Sequence, residues 1–534
     1  MHSKIRRALA AAIVAAASPI GVALAQRTPP SGSAPTLIVF MAVDQMRADY
    51  LERFASQLTG GLGRLYRNGA VFTNAYQDHA ITETAPGHSV MLSGRFPVHT
   101  GIVTNTLGVP DPQAPLIGGG GDPASPFRFR GSALIDWLRD HDPRSRALSV
   151  SRKDRGAILP IGRAKQAAYW YATDGRFTTS TYYADTLPTW VNQFNARKIP
   201  QTYAGKAWTL LLPENSYPEP DSVPQENNGR GVTFPHGFSD DPAQVARNFA
   251  AYPMMDSLTA QMALAGVAAT NLGRGPWTDL LAVSFSTTDA VGHAFGPDSR
   301  EIHDQIVRLD RYMGQFVDSL YKLRDSSRIV FALTADHGVQ SNPDIRAAMT
   351  HTPALWAEVS PVIRATSAAL LAAGADSGAL RYEEGVVMLH RPALGKKKIN
   401  ADSVLDALAK ALRNVAGVAR VDFVKDLAKA DTAHQDAPRR WLHMLPADFP
   451  ADLVISLAPN AYFYSSGVVA THGSPNELDA HVPLIFYGPW FTPGKYDQKA
   501  LVADIAPTLA AVAEVEPSEK LDGRVRAEAM RKPK

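Results

Sequence analysis

Three stretches of this chain are apolar without alternation, and each stops abruptly near an acid. Thr36-Leu-Ile-Val-Phe-Met-Ala-Val43 ends at Asp44, Leu280–Phe285 runs into Ser-Thr-Thr-Asp289, and Ile329–Leu333 runs into Thr-Ala-Asp336-His337. A strand with one wet face alternates; a strand apolar at every position must be covered on both faces, as in the centre of a parallel sheet. Val482-Pro-Leu-Ile-Phe-Tyr487 offers a fourth such strand. Between the second and third, Ile302, Ile306, Leu309, Met313, Phe316 and Leu320 recur at alternating spacings of four and three, the stripe of one amphipathic helix. Strand, helix, strand is a βαβ unit. The expected fold class is therefore α/β, a central mainly parallel sheet with helices on both faces.

At 534 residues the chain is long enough for a large core. Its organisation reads as follows. Lys4, Arg6 and Arg7 precede an Ala-rich run, and Ala23-Leu24-Ala25 has the small-x-small pattern of a signal-peptidase site, so residues 1–25 read as a signal peptide cleaved after Ala25. Ser18, Pro19 and Gly21 interrupt that run, and no later segment approaches the ~20 apolar residues of a membrane span. The expectation is an exported protein, periplasmic or secreted, with no membrane anchor in its mature form. Cleavage removes three cations and no acid, so the net charge falls from +3 to zero. That balance argues against a dedicated nucleic-acid binder, and Lys396-Lys397-Lys398 reads as a solvated turn. Residues 26–35 read as a flexible leader, 36–526 as the main α/β domain and 527–534 as a tail. The segments 160–277 and 360–460 read as inserted lids or subdomains.

Cysteine is absent, which excludes disulfides, thiolate-bound zinc and a thiol nucleophile. Carboxylate and imidazole remain as the ligand set for a hydrolytic metal site. In open parallel sheets, ligand groups gather beyond the carboxyl ends of the strands. Asp44, Asp289 and Asp336 are delivered there, with His293 four residues beyond Asp289, His337 next to Asp336, and His472 in Thr471-His472-Gly473 ahead of the fourth strand. One such acid alone is more often a turn or cap. Six N/O ligands at equivalent points exceed the ~4 that one ion takes and suggest two.

Thr82-Glu-Thr84-Ala-Pro-Gly-His88 reads as a helix start, with Thr84 at the N-cap and Pro86 in the first turn. A hydroxyl there lies at the positive end of the helix dipole, where an alkoxide or attached phosphoryl group is favoured. Lys153 and Arg155 stand two apart; on an extended segment they point the same way and can clamp the oxygens of a dianionic phosphate. Gly118-Gly-Gly-Gly121 lacks the lysine of a phosphate loop and reads as a flexible loop.

Taken together the pattern resembles the alkaline phosphatase superfamily, and within it the exported phosphate-irrepressible (PafA-type) enzymes. The matching elements are Val43-Asp44-Gln45-Met46-Arg47, Thr84-x-x-Gly87-His88, His99-Thr-Gly101-Ile-x-x-Asn105, Lys153-Asp-Arg155-Gly-Ala-Ile-Leu-Pro160, Ala168-Tyr-Trp-Tyr171, Asp289-x-x-Gly-His293, Asp336-His337-Gly338 and Thr471-His472-Gly473-Ser474. They run in order from about residue 36 to Asp504-Ile-Ala-Pro-Thr-Leu509. The resemblance implies two Zn²⁺ per chain, one held by Asp44, Thr84, Asp336 and His337, the other by Asp289, His293 and His472. It further implies a nucleophilic Thr84 forming a phosphothreonine, phosphoryl contacts from Asn105, Lys153 and Arg155, small phosphate monoesters as substrates, and an alkaline pH optimum.

The nearest rival is a nucleotide pyrophosphatase or phosphodiesterase of the same superfamily. A diester carries one charge fewer, so it gains less from two cations and needs room for a second ester group; Lys153 with Arg155 favours the monoesterase. A sulfatase would need Cys or Ser in a C/S-x-P-x-R setting, where this chain has Thr84 and His88. A binding protein on a decayed enzyme scaffold would show lost ligands, and none of the six is replaced.

Overall fold

Every side chain of the run Leu37–Val43 (β1) is buried, because β1 lies inside a nine-stranded sheet. The computed structural model describes residues 34–395 and 399–531; the expected signal peptide, most of the expected leader, Lys396, Lys397 and Lys398, and the last three residues lie outside that range. The other strands of the sheet are Ala70–Phe72 (β2), Ala147–Ser151 (β3), Ala167–Tyr171 (β4), Phe177–Thr178 (β5), Asp279–Phe285 (β6), Ile329–Thr334 (β7), Leu484–Tyr487 (β8) and Gly494–Tyr496 (β9). Their order is β9-β2-β8-β7-β1-β6-β3-β4-β5. The five from β7 to β4 run parallel, as the unbroken apolar runs require. The fourth expected strand, β8, runs antiparallel to β7. The striped helix spans Arg300–Leu323, with all six stripe residues buried.

The segment 160–277 is only partly an insertion. Its β4 and β5 extend the main sheet, and its helix Met254–Thr270 packs on β3 and β6. The aromatic, Pro-rich stretch between them carries only short elements. The segment 360–460 carries a sheet separate from the main one, tied to the main domain where Val386 and Val454 pack with Ala80, Ile81 and Val103. Strands Leu380–Glu383, Val386–Leu389, Val418–Phe423 and Leu453–Leu457 make a four-stranded antiparallel sheet, and helix Ala401–Leu412 lies against it. A second apolar core, containing Val387, Leu408 and Ile455, sits between them. Within the segment read as a tail, Ala527–Ala529 form a helical turn and Met530 bridges to Phe491.

One buried acid of this scaffold has a measurable consequence. Glu226 is buried, and its Oε2 has no hydrogen-bond partner among the described residues. Burial, then the charges of Glu301 and Asp221, push its carboxyl up to about 9. Between the unfolded value near 4.5 and that folded value, the native state keeps a proton that the unfolded chain has released. Stability therefore falls as pH rises through this window, by up to about 1.4 kcal/mol per unit. Glu226→Gln is neutral throughout, so it should match wild type at pH 4 and exceed it by at least ~1 kcal/mol at pH 8.5 in denaturant unfolding. Equal stabilities at pH 8.5 would show that Glu226 ionises normally in the fold.

Candidate active site

Strand register brings the scattered acids to one rim. Val43 stands opposite Phe285, Ala42 opposite Thr334 and Ser151 opposite Ser284, so the residues that follow leave the sheet at one level. The Asp44 amide still donates to Phe285 O at 2.9 Å. Because β8 is antiparallel, it starts where the others end, Leu484 facing Thr334. The loop ahead of it therefore carries His472 to the same rim.

Thr84 opens the buried helix Thr84–Met91, and Glu83, not Thr84, is its N-cap residue. The Thr84 hydroxyl is thus left free of capping, and the cap is supplied from elsewhere. Asn105 Oδ1 accepts the Ala85 amide at 2.9 Å, while the Asn105 amide donates to Glu83 Oε2 at 2.7 Å. With its oxygen so used, Asn105 keeps its NH₂ for another acceptor. Gly87 lets this helix approach the third strand end: a Cβ there would lie 2.3 Å from Asp336 O.

The acids and histidines fall into two groups. Asp44, Asp336 and His337 present ligand atoms within 4.8 Å of one another, as do Asp289, His293 and His472. All three imidazoles are oriented alike. Nδ1 faces a backbone carbonyl in each: Gly338 O at 2.9 Å from His337, Ala470 O at 2.8 Å from His293 and Thr82 O at 2.8 Å from His472. A carbonyl only accepts, so Nδ1 carries the proton and Nε2 keeps its lone pair, as in histidines that bind metal. His337 Nε2 and Asp44 Oδ1 are buried without hydrogen-bond partners among the described residues, 3.6 Å apart. His293 Nε2 and His472 Nε2 face each other at 3.1 Å. Bare lone pairs converging in this way suit a divalent cation in each group. The groups adjoin, since the His337 and His472 rings stack with centroids 3.5 Å apart.

The electrostatics are those of crowded acids. Burial, then Asp289 and Asp336, push the Asp44 carboxyl up to about 7. Burial has the same upward pull on Asp289, but Lys153 and His293 outweigh it and hold this carboxyl far below the usual range. Asp336 likewise ends low, burial being overcome by His337 and His88. His472 is kept neutral by burial and by the neighbouring His337 and His293. For His293, burial is outweighed by Asp289, which raises its basicity.

Lys153 and Arg155 do not share an extended segment. β3 ends at Ser151, Lys153 is the N-cap residue of the helix Asp154–Ile158, and Arg155 lies in its first turn, so the side chains diverge. Lys153 Nζ enters the site. It lies 2.7 Å from both Asp44 Oδ2 and Asp289 Oδ2, and donates to Thr84 Oγ1 at 3.1 Å. Arg155 pairs with Asp154 at 3.4 Å and faces Glu83.

Several neighbours were given no role by the sequence reading. Gln45 touches both groups. Arg152 Nη2 lies 3.5 Å from Asp289 Oδ2. His88 reaches Asp336 Oδ2 at 3.2 Å and Ser284 Oγ at 2.9 Å; its place four residues after Thr84, on the same helix face, was the available signal. Glu383, on the hairpin of the inserted sheet, accepts from Thr106 Oγ1 at 2.6 Å. Nothing local in the sequence links those two positions.

An α/β sheet with two adjoining carboxylate–imidazole groups and a buried threonine at a helix start defines a class of metallohydrolase scaffold. Residues 38–475 match the type I phosphodiesterase / nucleotide pyrophosphatase family, and the chain belongs to that family. Within it the chain is of the PafA type of the alkaline phosphatase superfamily. It is 32% identical to alkaline phosphatase PhoV of Synechococcus elongatus, over 93% of each chain. To alkaline phosphatase PafA of Elizabethkingia meningoseptica it is 30% identical, over 90% of this chain and 92% of that one. The crystal structure of wild-type PafA superposes with a TM-score of 0.86 at 28% identity, covering 94% of this chain and all of that one.

Proposed function

We propose that this chain is an exported, zinc-dependent phosphate monoester hydrolase that forms a phosphothreonine on Thr84. The coarser part, a metal-dependent hydrolase of phosphate monoesters in this superfamily, rests on the alkaline phosphatases it resembles along nearly its whole length. Among the described residues no helix is long and apolar enough to cross a membrane. Export rests on the signal-peptide pattern of residues 1–25.

One observation carries the finer reading: a lysine ammonium contacts the Thr84 hydroxyl and one carboxylate from each ligand group. Asp44, Asp336 and His337, with Thr84, would hold one ion, and Asp289, His293 and His472 the other. Two such ions supply Lewis-acid activation of the attacking and leaving oxygens. The chain's own residues do the rest. Lys153 and the helix N-terminus favour ionised Thr84 Oγ1, which bonds to phosphorus as the ester oxygen leaves. Water then cleaves the Thr84–phosphorus bond and regenerates the hydroxyl. The Asn105 NH₂ and the ammonium of Lys153 stabilise charge on the non-bridging oxygens, and Arg155 must swing toward the site to join them.

The diesterase reading keeps a specific support in the name of the matched family. The two separate in a comparison of an aryl phosphate with its methyl diester on zinc-loaded protein. We expect the monoester to be favoured by at least ~10²-fold in kcat/KM, because two charges on the substrate meet more cationic density than one. A preference for the diester would overturn the proposal. A chelator should remove activity and added Zn²⁺ restore it; activity that survives metal depletion would reject the metal assignment.

A further inference from the structure

Gln45 follows directly on Asp44, and its backbone and side chain each reach a different ligand group. Its amide N–H donates to Asp336 Oδ1 at 3.0 Å. Its side-chain Nε2 donates to Asp289 Oδ1 at 3.2 Å. The residue is fully buried and holds φ +65°, a conformation strained for any residue with a Cβ. With the backbone turned this way, one residue points its N–H at one group and its side-chain amide at the other. The opposite side is moulded to the amide as well: a Cβ on Gly292 would lie 1.8 Å from Gln45 Oε1. Gly292 immediately precedes His293, and it lies three residues after Asp289 on the same helix.

From this geometry we infer that Gln45 is a positioning residue, fixing the Asp289 carboxylate in register with the Asp336 group. The inference rests on the two-ion reading above. The Nε2 hydrogen bond holds Asp289 Oδ1, the oxygen 3.2 Å from His293 Nε2 and 3.7 Å from His472 Nε2, so the side chain serves the Asp289–His293–His472 group. The backbone N–H serves the Asp44–Asp336–His337 group. Partners that orient metal-binding side chains typically change ion affinity by about 10–100-fold.

The two halves of the residue can be separated. Gln45→Gly adopts positive φ freely and keeps the N–H, but loses the amide. Gly292→Ala leaves residue 45 intact and displaces its amide by direct collision. The measurements are zinc stoichiometry after dialysis against a series of fixed free-zinc concentrations, and anomalous diffraction at the zinc edge to locate the retained ion. We expect wild type to hold two ions. Both variants should hold one at wild-type affinity, at Asp44–Asp336–His337, and bind the other about 10–100-fold more weakly. Should Gln45→Gly fail to fold, Gly292→Ala makes the same test. Two ions held at wild-type affinity in the variants, equal weakening of both, or retention of the ion at Asp289 instead would overturn the role of Gln45 while leaving the hydrolase reading intact. Fewer than two ions in wild type would overturn the two-ion reading itself, and this inference with it.

Discussion

Replacing Thr84 with alanine is expected to lower turnover of a phosphate monoester by ~10³-fold or more, the scale on which nucleophile removal acts in enzymes of this kind. The fold should be unaffected. Among the described residues Thr84 Oγ1 hydrogen-bonds to Lys153 alone, and Lys153 keeps both carboxylates. The helix start is capped through Asn105 rather than through Thr84. The alanine adds no unpaired polar atom to the helix. Trapping wild type with labelled substrate in acid should yield phosphothreonine, and Thr84→Ala should yield no labelled protein. A folded, zinc-loaded Thr84→Ala protein with undiminished turnover would sink the nucleophile assignment.

Loss of Lys153 should be the second large effect, and it should depend on the substrate. Its ammonium is the cation in contact with the Thr84 hydroxyl, whereas Arg155 lies outward beside Asp154. Lys153→Ala should therefore cut monoester hydrolysis by about 10²–10³-fold, and Arg155→Ala by less. Paired replacement should damage monoester hydrolysis much more than diester hydrolysis, since the dianion loses more attraction. Equal damage to both substrates would remove the electrostatic case for the monoester. The same change bears on stability. Without metal, removal of Lys153 leaves Asp44 and Asp289 buried without their shared counter-charge, which should cost the apoprotein about 3–5 kcal/mol. Bound divalent ions would supply that charge instead, so the zinc-loaded variant should lose far less. A thermal-shift series with and without chelator measures the difference.

Much of the site was legible because its signals are local. An apolar run that stops at an acid is visible within ten residues, and strands of one parallel sheet release such residues at one end. Asp44, Asp289 and Asp336 needed no further information, and His293 and His337 lie within four residues of them. The readings that failed were those in which a local pattern was given the wrong backbone. Lys153 and Arg155 share a face in a strand but diverge once β3 ends at Ser151 and a helix begins. Thr84 looks like a cap because cap and first-turn positions differ by one residue, and Glu83 has the extended conformation that the cap needs. The segment 160–277 looks like an insert because β4 is short and surrounded by turns, yet β4 pairs with β3 and so belongs to the main sheet.

The apolar pattern alone determined that this chain would form a parallel sheet with acids along one rim, because burial of both strand faces is a property of the side chains themselves. It could not determine which lone pairs face one another. That depends on register between strands hundreds of residues apart, on the backbone carbonyls that select each imidazole tautomer, and on a strained turn at Gln45. These are relations between distant segments, and they come into being only when the chain packs.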